Sequence, residues 1–240
     1  METESSRIVL VTGGTRGIGR AVAATLLSRG NRLAFTGTSL DGVSRAEREL
    51  GDACGDPGRV LGLTCDVRDP ASVEAAVRTA SERFGGLQVL VNNAGVGVGA
   101  PVADLALEEW DRIIGVNLTG TFHCSRAVIP HLRAAGGGWI INVSSLSSTH
   151  PFAGGAAYTA AKAGVNAFSE ALMQELRPDG IRVAVVLPGS VSTEFNNRPA
   201  GNGADWKLHP EDVAQVIADL LDHPARSLPS RVEIRPARTK

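Results

Sequence analysis

The chain has 240 residues, enough for one domain with a large core, and we read residues 1–240 as a single domain. Its hydrophobic share of 43% and charged share of 20% are those of a globular protein, and a formal net charge of -1 gives no electrostatic reason to expect nucleic acid or an anionic membrane surface. Cys54, Cys65 and Cys124 are odd in number and form no CxxC pair, and METESSRIVLVTGG meets glycine too early for a signal peptide, so a cytoplasmic protein with reduced thiols and no membrane span is expected.

In chain order, short β-rich runs alternate with helical patterns. The first strand, Arg7–Thr12, runs into Thr12-Gly13-Gly14-Thr15-Arg16-Gly17-Ile18-Gly19, which opens a helix over Ile18–Ser28. Such glycines let the backbone turn sharply and approach a pyrophosphate, while the helix N-terminus offers free amides and partial positive charge. The spacing TGxxxGxG departs from GxGxxG, and a tight strand–helix connection alone would also use glycine; its place after the first strand favours a dinucleotide.

The second strand, Arg32–Thr36, ends at Gly37-Thr38-Ser39, before a helix over Gly42–Leu50. An enzyme selecting NAD usually carries Asp or Glu there. With Gly37 in that place, Arg16, Thr38 and Ser39 are candidates for a 2′-phosphate, so NADP(H) is favoured and NAD(H) is the alternative, with Arg16 simply on the surface. After the third strand, Val60–Thr64, Asp66-Val67 offers a carboxylate for an adenine amino group. The fourth strand, Val89–Asn92, follows a helix over Pro70–Phe84 and leads into Asn93, Ala94 and Gly95, small enough to let the backbone near a cofactor.

One long helical pattern covers Leu107–Ala135. A strand over Trp139–Val143 then precedes Ser144 and Ser145, and a helix over Ala156–Arg177 carries Tyr158 and Lys162. The last strands, Arg182–Leu187 and Val232–Ile234, flank a polar loop from Ser192 to Leu208 and a helix over Pro210–Leu221. Near-continuous Val, Ile and Leu in the strands, each joined by a crossover helix, predict a doubly wound parallel α/β sheet of Rossmann type with helices on both faces. The loop's aromatics, Phe195 and Trp206, are expected to pack against the body of the protein, although they could cover an apolar substrate.

Tyr158 and Lys162 are four apart on a predicted helix, so phenol and ammonium leave the same face. A phenol titrates near pH ~10 and exchanges protons poorly at neutrality, a cation held close favours its phenolate, and a serine hydroxyl can steady an oxygen being reduced or oxidised. Alone, YxxxK occurs by chance on many surface helices. No carboxylate pair, nucleophile elbow or metal-ligand spacing competes with it, and no metal site is expected. The five histidines are scattered; His150 can line a substrate pocket, but surface or packing roles are the default.

Taken together, TGGTRGIG, DV, NNAG, VNLTG, INVSS, YTAAK and LPGSVST closely resemble the short-chain dehydrogenase/reductase family in order and approximate spacing over nearly the whole chain. The resemblance implies strand order 3-2-1-4-5-6-7 in a seven-stranded sheet. It implies Ser145 rather than Ser144 as the substrate-orienting serine and Tyr158 as acid/base. It also implies Lys162 as the residue that holds the nicotinamide ribose and lowers the tyrosine pKa, and Asn117 as the support of a proton path behind that lysine. Pro188, Gly189, Val191 and Thr193 would meet the nicotinamide carboxamide and the phosphates. Leu146-Ser147-Ser148 departs from the pattern, since many relatives place a glycine there.

The implied activity is hydride transfer between a nicotinamide and a small-molecule carbonyl or secondary alcohol: a small ketone, 3-oxoacyl ester, or sugar or polyol. A carrier-protein-linked 3-oxoacyl reductase needs entrance cations, for which Arg133 and Arg177 are the weak candidates. An epimerase or dehydratase of the related branch would need more chain after Pro188. A regulatory cofactor-binding protein without turnover would usually lack one of the four proton-transfer residues. Helices rich in Ala, Val and Leu, like those over Leu107–Ala135 and Ala156–Arg177, pair across subunits in this family, implying a homotetramer or a dimer.

Overall fold

A computed structural model describes residues 6–97, 99–193 and 205–238. Its seven strands are β1 (Ile8–Val11), β2 (Arg32–Gly37), β3 (Val60–Thr64), β4 (Val89–Asn92), β5 (Gly138–Val143), β6 (Ile181–Pro188) and β7 (Arg231–Ile234). They form one parallel sheet in the order β3-β2-β1-β4-β5-β6-β7. The helices are α1 (Gly17–Ser28), α2 (Leu40–Cys54), α3 (Pro70–Phe84), α4 (Leu107–Ile114), α5 (Gly120–Ala134), α6 (Ala156–Leu176) and α7 (Pro210–Leu221).

The apolar strands alternate between two cores because successive side chains leave opposite faces. Val9 and Val11, Leu33 and Phe35, and Ile141 and Val143 join α1, α2 and α7 on one face. Leu10, Ala34 and Ile140 join α3, α5 and α6 on the other. With both faces covered, a strand has no solvent side to mark with polar residues, which is why the runs read as continuous Val, Ile and Leu.

Two predicted boundaries move for identifiable reasons. Helix α2 runs past Gly51 to Cys54, where Gly55 in the left-handed region ends it. Gly51 is instead a packing glycine: a Cβ there would sit 3.2 Å from Pro57 Cα. The long pattern over Leu107–Ala135 is broken by a π-helical turn, Gly115–Thr119, in which Gly120 N–H reaches back to the Gly115 carbonyl. Asn117 Nδ2 donates to the Ile113 carbonyl at 2.8 Å and Thr121 Oγ1 donates to the Asn117 carbonyl at 2.8 Å, so side chains take over acceptors freed by the wider turn. Such turns within helices frequently mark functional positions.

Strand order reverses between β1 and β4, whose neighbours lie on opposite sides. Connections leave that point in opposite directions and open a crevice beyond the carboxyl ends of the strands. The residues that follow the strands are therefore brought together there.

Candidate active site

The carboxyl ends of β1, β2, β4, β5 and β6 line one cleft of about 1270 Å³. At its first end the glycine loop turns through Gly13 at φ 67° and Gly17 at φ 56°, conformations that side chains disfavour. Thr12 Oγ1 accepts from the backbone N–H groups of Asn93 and Ala94 at 3.0 Å, and Asn93 Nδ2 donates to the Thr12 and Gly13 carbonyls at 3.0 and 3.1 Å. The Asn93 side chain thus staples the end of β4 to the glycine loop, while Ala94 and Gly95 add backbone to the wall. Gly19 sits behind this staple, where a Cβ would run into the Gly13 carbonyl and the Asn93 amide. Thr15 and Ile18 complete that end, and Thr193 closes over it, its methyl 3.5 Å from where a Gly17 Cβ would stand.

At β2 the structure places Gly37 in the core, with a hypothetical Cβ 2.5 Å from Thr15 Cγ2 and 3.0 Å from Val43 Cγ2. Arg16 is exposed at the N-cap of α1 and, among the described residues, joins no ion pair. Thr38 is exposed beside it on the cleft wall, whereas the Ser39 hydroxyl caps α2 by accepting from Gly42 N–H at 3.2 Å and keeps its own proton to donate. Asp66 is chelated by Arg68, Nε at 3.0 Å from both carboxylate oxygens and Nη2 at 2.6 Å from one. That hydrogen bond holds the Asp66 carboxyl below the usual carboxylate range. A carboxylate has about four lone-pair sites, so the chelate leaves room for another donor. Val67 is buried beside it and lines the same wall.

The other end carries the proton-transfer candidates. Tyr158 and Lys162 leave one face of α6, with Lys162 Nζ 5.9 Å from the Tyr158 ring centroid. The Tyr158 hydroxyl is hydrogen-bonded to Ser145. The adjacent Ser144 is committed elsewhere, its buried Oγ donating to the Lys162 carbonyl at 3.1 Å. Lys162 is only 4% exposed, and its Nζ donates to the Val143 carbonyl at 2.8 Å. Burial lowers its pKa from 10.5 to about 8 because the charged form loses water.

Burial pushes the Tyr158 phenol up from its ordinary value, and the hydrogen bond with Ser145 works in the opposite direction. These influences differ in weight from the sequence expectation, which gave the lysine the leading part. Asn117 is fully buried on the π-turn, with Nδ2 donating to the Val96 and Ile113 carbonyls, while its Oδ1 has no partner among the described residues. A Cβ on Gly95 would lie 2.9 Å from that Oδ1 and 3.7 Å from Lys162 Nζ, so the two polar atoms converge where glycine leaves space.

The turn after Ser145 explains the Leu146-Ser147-Ser148 departure. Ser145 caps it through its Oγ, accepting from Ser147 N–H at 3.2 Å, and Ser148 Oγ donates to the Ser145 carbonyl at 2.5 Å. Asn166, one turn beyond Lys162, donates to Ser148 Oγ at 2.8 Å. The helix that carries the tyrosine therefore grips the turn that carries the serine. A second buried link, Asn92 to Asn142 at 2.8 Å and Asn142 to Ser169 at 2.8 Å, joins β4, β5 and α6 behind the site.

Pro188, Gly189 and Val191 line the cleft after β6, and Val191 bridges to Leu208. Ser192 N–H donates to the Leu208 carbonyl at 2.8 Å, closing the base of the Ser192–Leu208 loop. Phe195 lies outside the described residues. Trp206, expected against the body, is partly buried on the cleft wall, and His150 lines the cleft as well. Sequence reasoning missed Arg68, Asn166 and the cleft-lining residues after β7, among them Arg235 and Arg238. The last two are brought to the cleft by the pairing of β7 with β6, a contact that their own segment does not announce. No group of three or more His, Cys, Asp or Glu among the described residues could hold a metal ion. No helix is long and apolar enough to cross a membrane among those residues.

Residues 7–201 match the family model for short chain dehydrogenases. The chain is 38% identical over 229 residues to a D-threitol dehydrogenase of Mycolicibacterium smegmatis, covering 91% of this chain and 87% of the relative. It is 35% identical over 227 residues to a 3-oxoacyl-(acyl-carrier-protein) reductase of Vibrio cholerae, covering 89% of each. Among solved structures it is similar to an alcohol dehydrogenase from Thermococcus sibiricus complexed with 5-hydroxy-NADP, with a TM-score of 0.91, 29% identity and coverage of 98% and 99%. It is also similar to a 3-ketoacyl-(acyl-carrier-protein) reductase from Brucella melitensis complexed with NADH, with a TM-score of 0.85, 29% identity and coverage of 95% and 96%.

Proposed function

The chain belongs to the short-chain dehydrogenase family, and from that premise we propose an NADP(H)-dependent oxidoreductase that interconverts a carbonyl and a secondary alcohol, with Tyr158 as acid/base. The observation that carries it is the hydrogen-bonded Tyr158–Ser145 pair backed by a buried Lys162, opening on the cleft that starts at the glycine loop.

The residues present fit a dinucleotide. The glycine loop and the start of α1 suit a pyrophosphate, and the unpartnered Asn117 Oδ1 beside Lys162 Nζ suits the ribose end, where Gly95 lacks the Cβ that would fill the space. When bound, the nicotinamide supplies or accepts the hydride. The chain's own residues do the rest. Ser145 orients the substrate oxygen, and Tyr158 Oη gives that oxygen a proton in reduction or takes one in oxidation. Burial holds the phenol in its protonated form at neutral pH, the form that donates in reduction. Lys162 keeps a positive charge behind the phenol, and Asn117 holds the polar path behind the lysine.

Arg16, exposed and in no ion pair among the described residues, together with Thr38 and Ser39, supports NADP(H) over NAD(H). Asp66 and Val67 take the adenine side. The substrate is a small ketone, a 3-oxoacyl ester, or a sugar or polyol, a range that spans the activities named for the relatives. Residues 1–240 act as one NAD(P)-binding domain, placed in the cytoplasm. Exposed Leu107 at 77% and Phe122 at 46% on α4 and α5 favour assembly into a homotetramer through these helices, or a dimer.

The test is an assay of purified protein against diketones, acetoacetyl thioesters and sugars with each nicotinamide. Turnover with NADPH ahead of NADH is the expected result. Tight NADPH binding with no turnover of any carbonyl would replace this reading with that of a cofactor-binding regulator.

A further inference from the structure

The charge of the cleft does not follow the charge of the chain. The protein is nearly neutral overall, at -1, yet Asp66 is the one carboxylate among the described residues of the cleft wall, and Arg68 already chelates it. Phosphates account for cations at the glycine-loop end. They do not account for Lys207, Arg235 and Arg238, which line the other end.

Their position follows from strand pairing. β7 runs parallel to β6, with Pro188 opposite Ile234, and Gly189 N–H donates to the Ile234 carbonyl at 2.8 Å. Chain leaving β7 therefore emerges beside chain leaving β6. Pro236 Cδ lies 2.9 Å, and Leu146 Cδ1 3.2 Å, from where a Cβ on Gly189 would stand. Leu146 directly follows Ser145, so the segment Arg235-Pro236-Ala237-Arg238 passes along the substrate-orienting serine's own turn. Arg235 shares Glu233 with Arg231, at 2.8 and 3.1 Å, which leaves one carboxylate between two guanidinium groups. Arg238 is exposed and takes part in no hydrogen bond or ion pair among the described residues. Lys207 lines the same cleft, next to Leu208, whose N–H donates to the Ser190 carbonyl at 3.0 Å in the chain that leaves β6.

From this arrangement we infer that the substrate is an anionic carbonyl or hydroxy compound, bearing a carboxylate or a phosphate that Arg235 and Arg238 grip, with Lys207 adding charge, while the carbonyl sits at Ser145 and Tyr158. The inference rests on the oxidoreductase reading and narrows its substrate. A guanidinium presents paired donors that match either anion, and a concave wall of one sign raises the local concentration of the opposite charge. Phe152 and Trp206, which also line the cleft, give it apolar surface for a carbon skeleton.

Matched pairs of substrates test it: a 4-oxo or 5-oxo carboxylic acid against its methyl ester, and dihydroxyacetone phosphate against dihydroxyacetone. The native enzyme should favour an anionic member at least tenfold in kcat/KM, mainly through KM, with the advantage shrinking as salt rises. The acid pair and the phosphate pair separately identify which anion is preferred. Arg238→Gln and Arg235→Gln should each remove most of that advantage while leaving kcat/KM for the neutral member and KM for NADPH within about twofold. Equal use of charged and neutral members by the native enzyme overturns the inference and leaves the oxidoreductase reading standing. So does a loss in the variants that falls on both members alike, or on KM for NADPH. No turnover of any of these four compounds, with turnover of a neutral diketone or sugar, overturns the inference alone; no turnover of any carbonyl with either nicotinamide takes down both.

Discussion

The two ends of the cleft are built on opposite principles. At the tyrosine end, Lys162 and Asn117 are buried and Ser145 is partly buried, and hydrogen bonds from two directions fix the turn, the helix and the strand relative to each other. Beyond the glycine loop, at the opposite end, the side chains of Arg16, Thr38 and Arg68 are exposed, and Arg68 is tied to Asp66 by their chelate. Proton transfer, the role proposed for the first end, needs atoms held within a narrow range and explains the cost of its buried polar groups. Recognition of a charged nucleotide, the role proposed for the second, tolerates looser geometry and suits side chains left in water. Substitutions at the first end should therefore change rate and stability together, and at the second end cofactor affinity alone.

The sharpest break in that contrast is Tyr158→Phe. Removing one hydroxyl should lower kcat by about 10²- to 10⁴-fold, with NADPH affinity unchanged in a fluorescence titration. Substantial retained turnover would dismiss the tyrosine from its role. Next comes Lys162→Met. The lysine's folded pKa of about 8 lies below its ordinary 10.5, so the folded state binds the proton less well than the unfolded chain does. Its penalty on stability is complete below about pH 8 and lifts as pH rises toward 10.5. The methionine variant should lose turnover and yet be more stable to denaturant near pH 7, by on the order of 2–3 kcal/mol. At pH 10 the stability gain over native protein should be much smaller; a variant less stable at both pH values would refute this account.

A smaller effect is expected from Asn166→Leu, which touches neither substrate nor cofactor. Losing one hydrogen bond of about 1 kcal/mol would let the Ser145 turn drift and lower kcat about fivefold. Ser148→Ala should reproduce it, and KM for NADPH should hold still in both variants. At the exposed end the effect should fall on binding and spare kcat: Arg16→Ala should raise KM for NADPH about fourfold and leave KM for NADH nearly unchanged, consistent with one lost charge-assisted contact in water. Equal effects on both nicotinamides would remove Arg16 from 2′-phosphate recognition.

How much of this was legible in the sequence depended on whether the cause was local. Strand alternation is hidden when both faces are buried, but uninterrupted Val and Ile between helical periods reveal the parallel sheet instead, and its strand order came from the family resemblance. Ser144 and Ser145 were separable only by spacing to Tyr158; the hydrogen bond from Ser144 to the Lys162 carbonyl now supplies the physical reason. The π-turn was not legible, because Leu107–Ala135 keeps an unbroken helical period and the interruption arises from the buried Asn117 amide reaching Val96, 21 residues away. Arg235 and Arg238 escaped notice for a similar reason. Nothing within their own segment suggests a ligand, and only the pairing of β7 with β6 brings them to the cleft.

The packing at Gly37 has a consequence for how the nucleotide preference could change. Exchanging one coenzyme for the other by placing an acid at the end of β2 is blocked here, since the first carbon of any side chain would collide with Thr15 Cγ2. A carboxylate at this position, the usual hold on a ribose diol, therefore needs Thr15 trimmed or Val43 shifted as well. Gly37→Asp alone should cost stability without gaining a contact, so the bare glycine works as a latch on the end of β2.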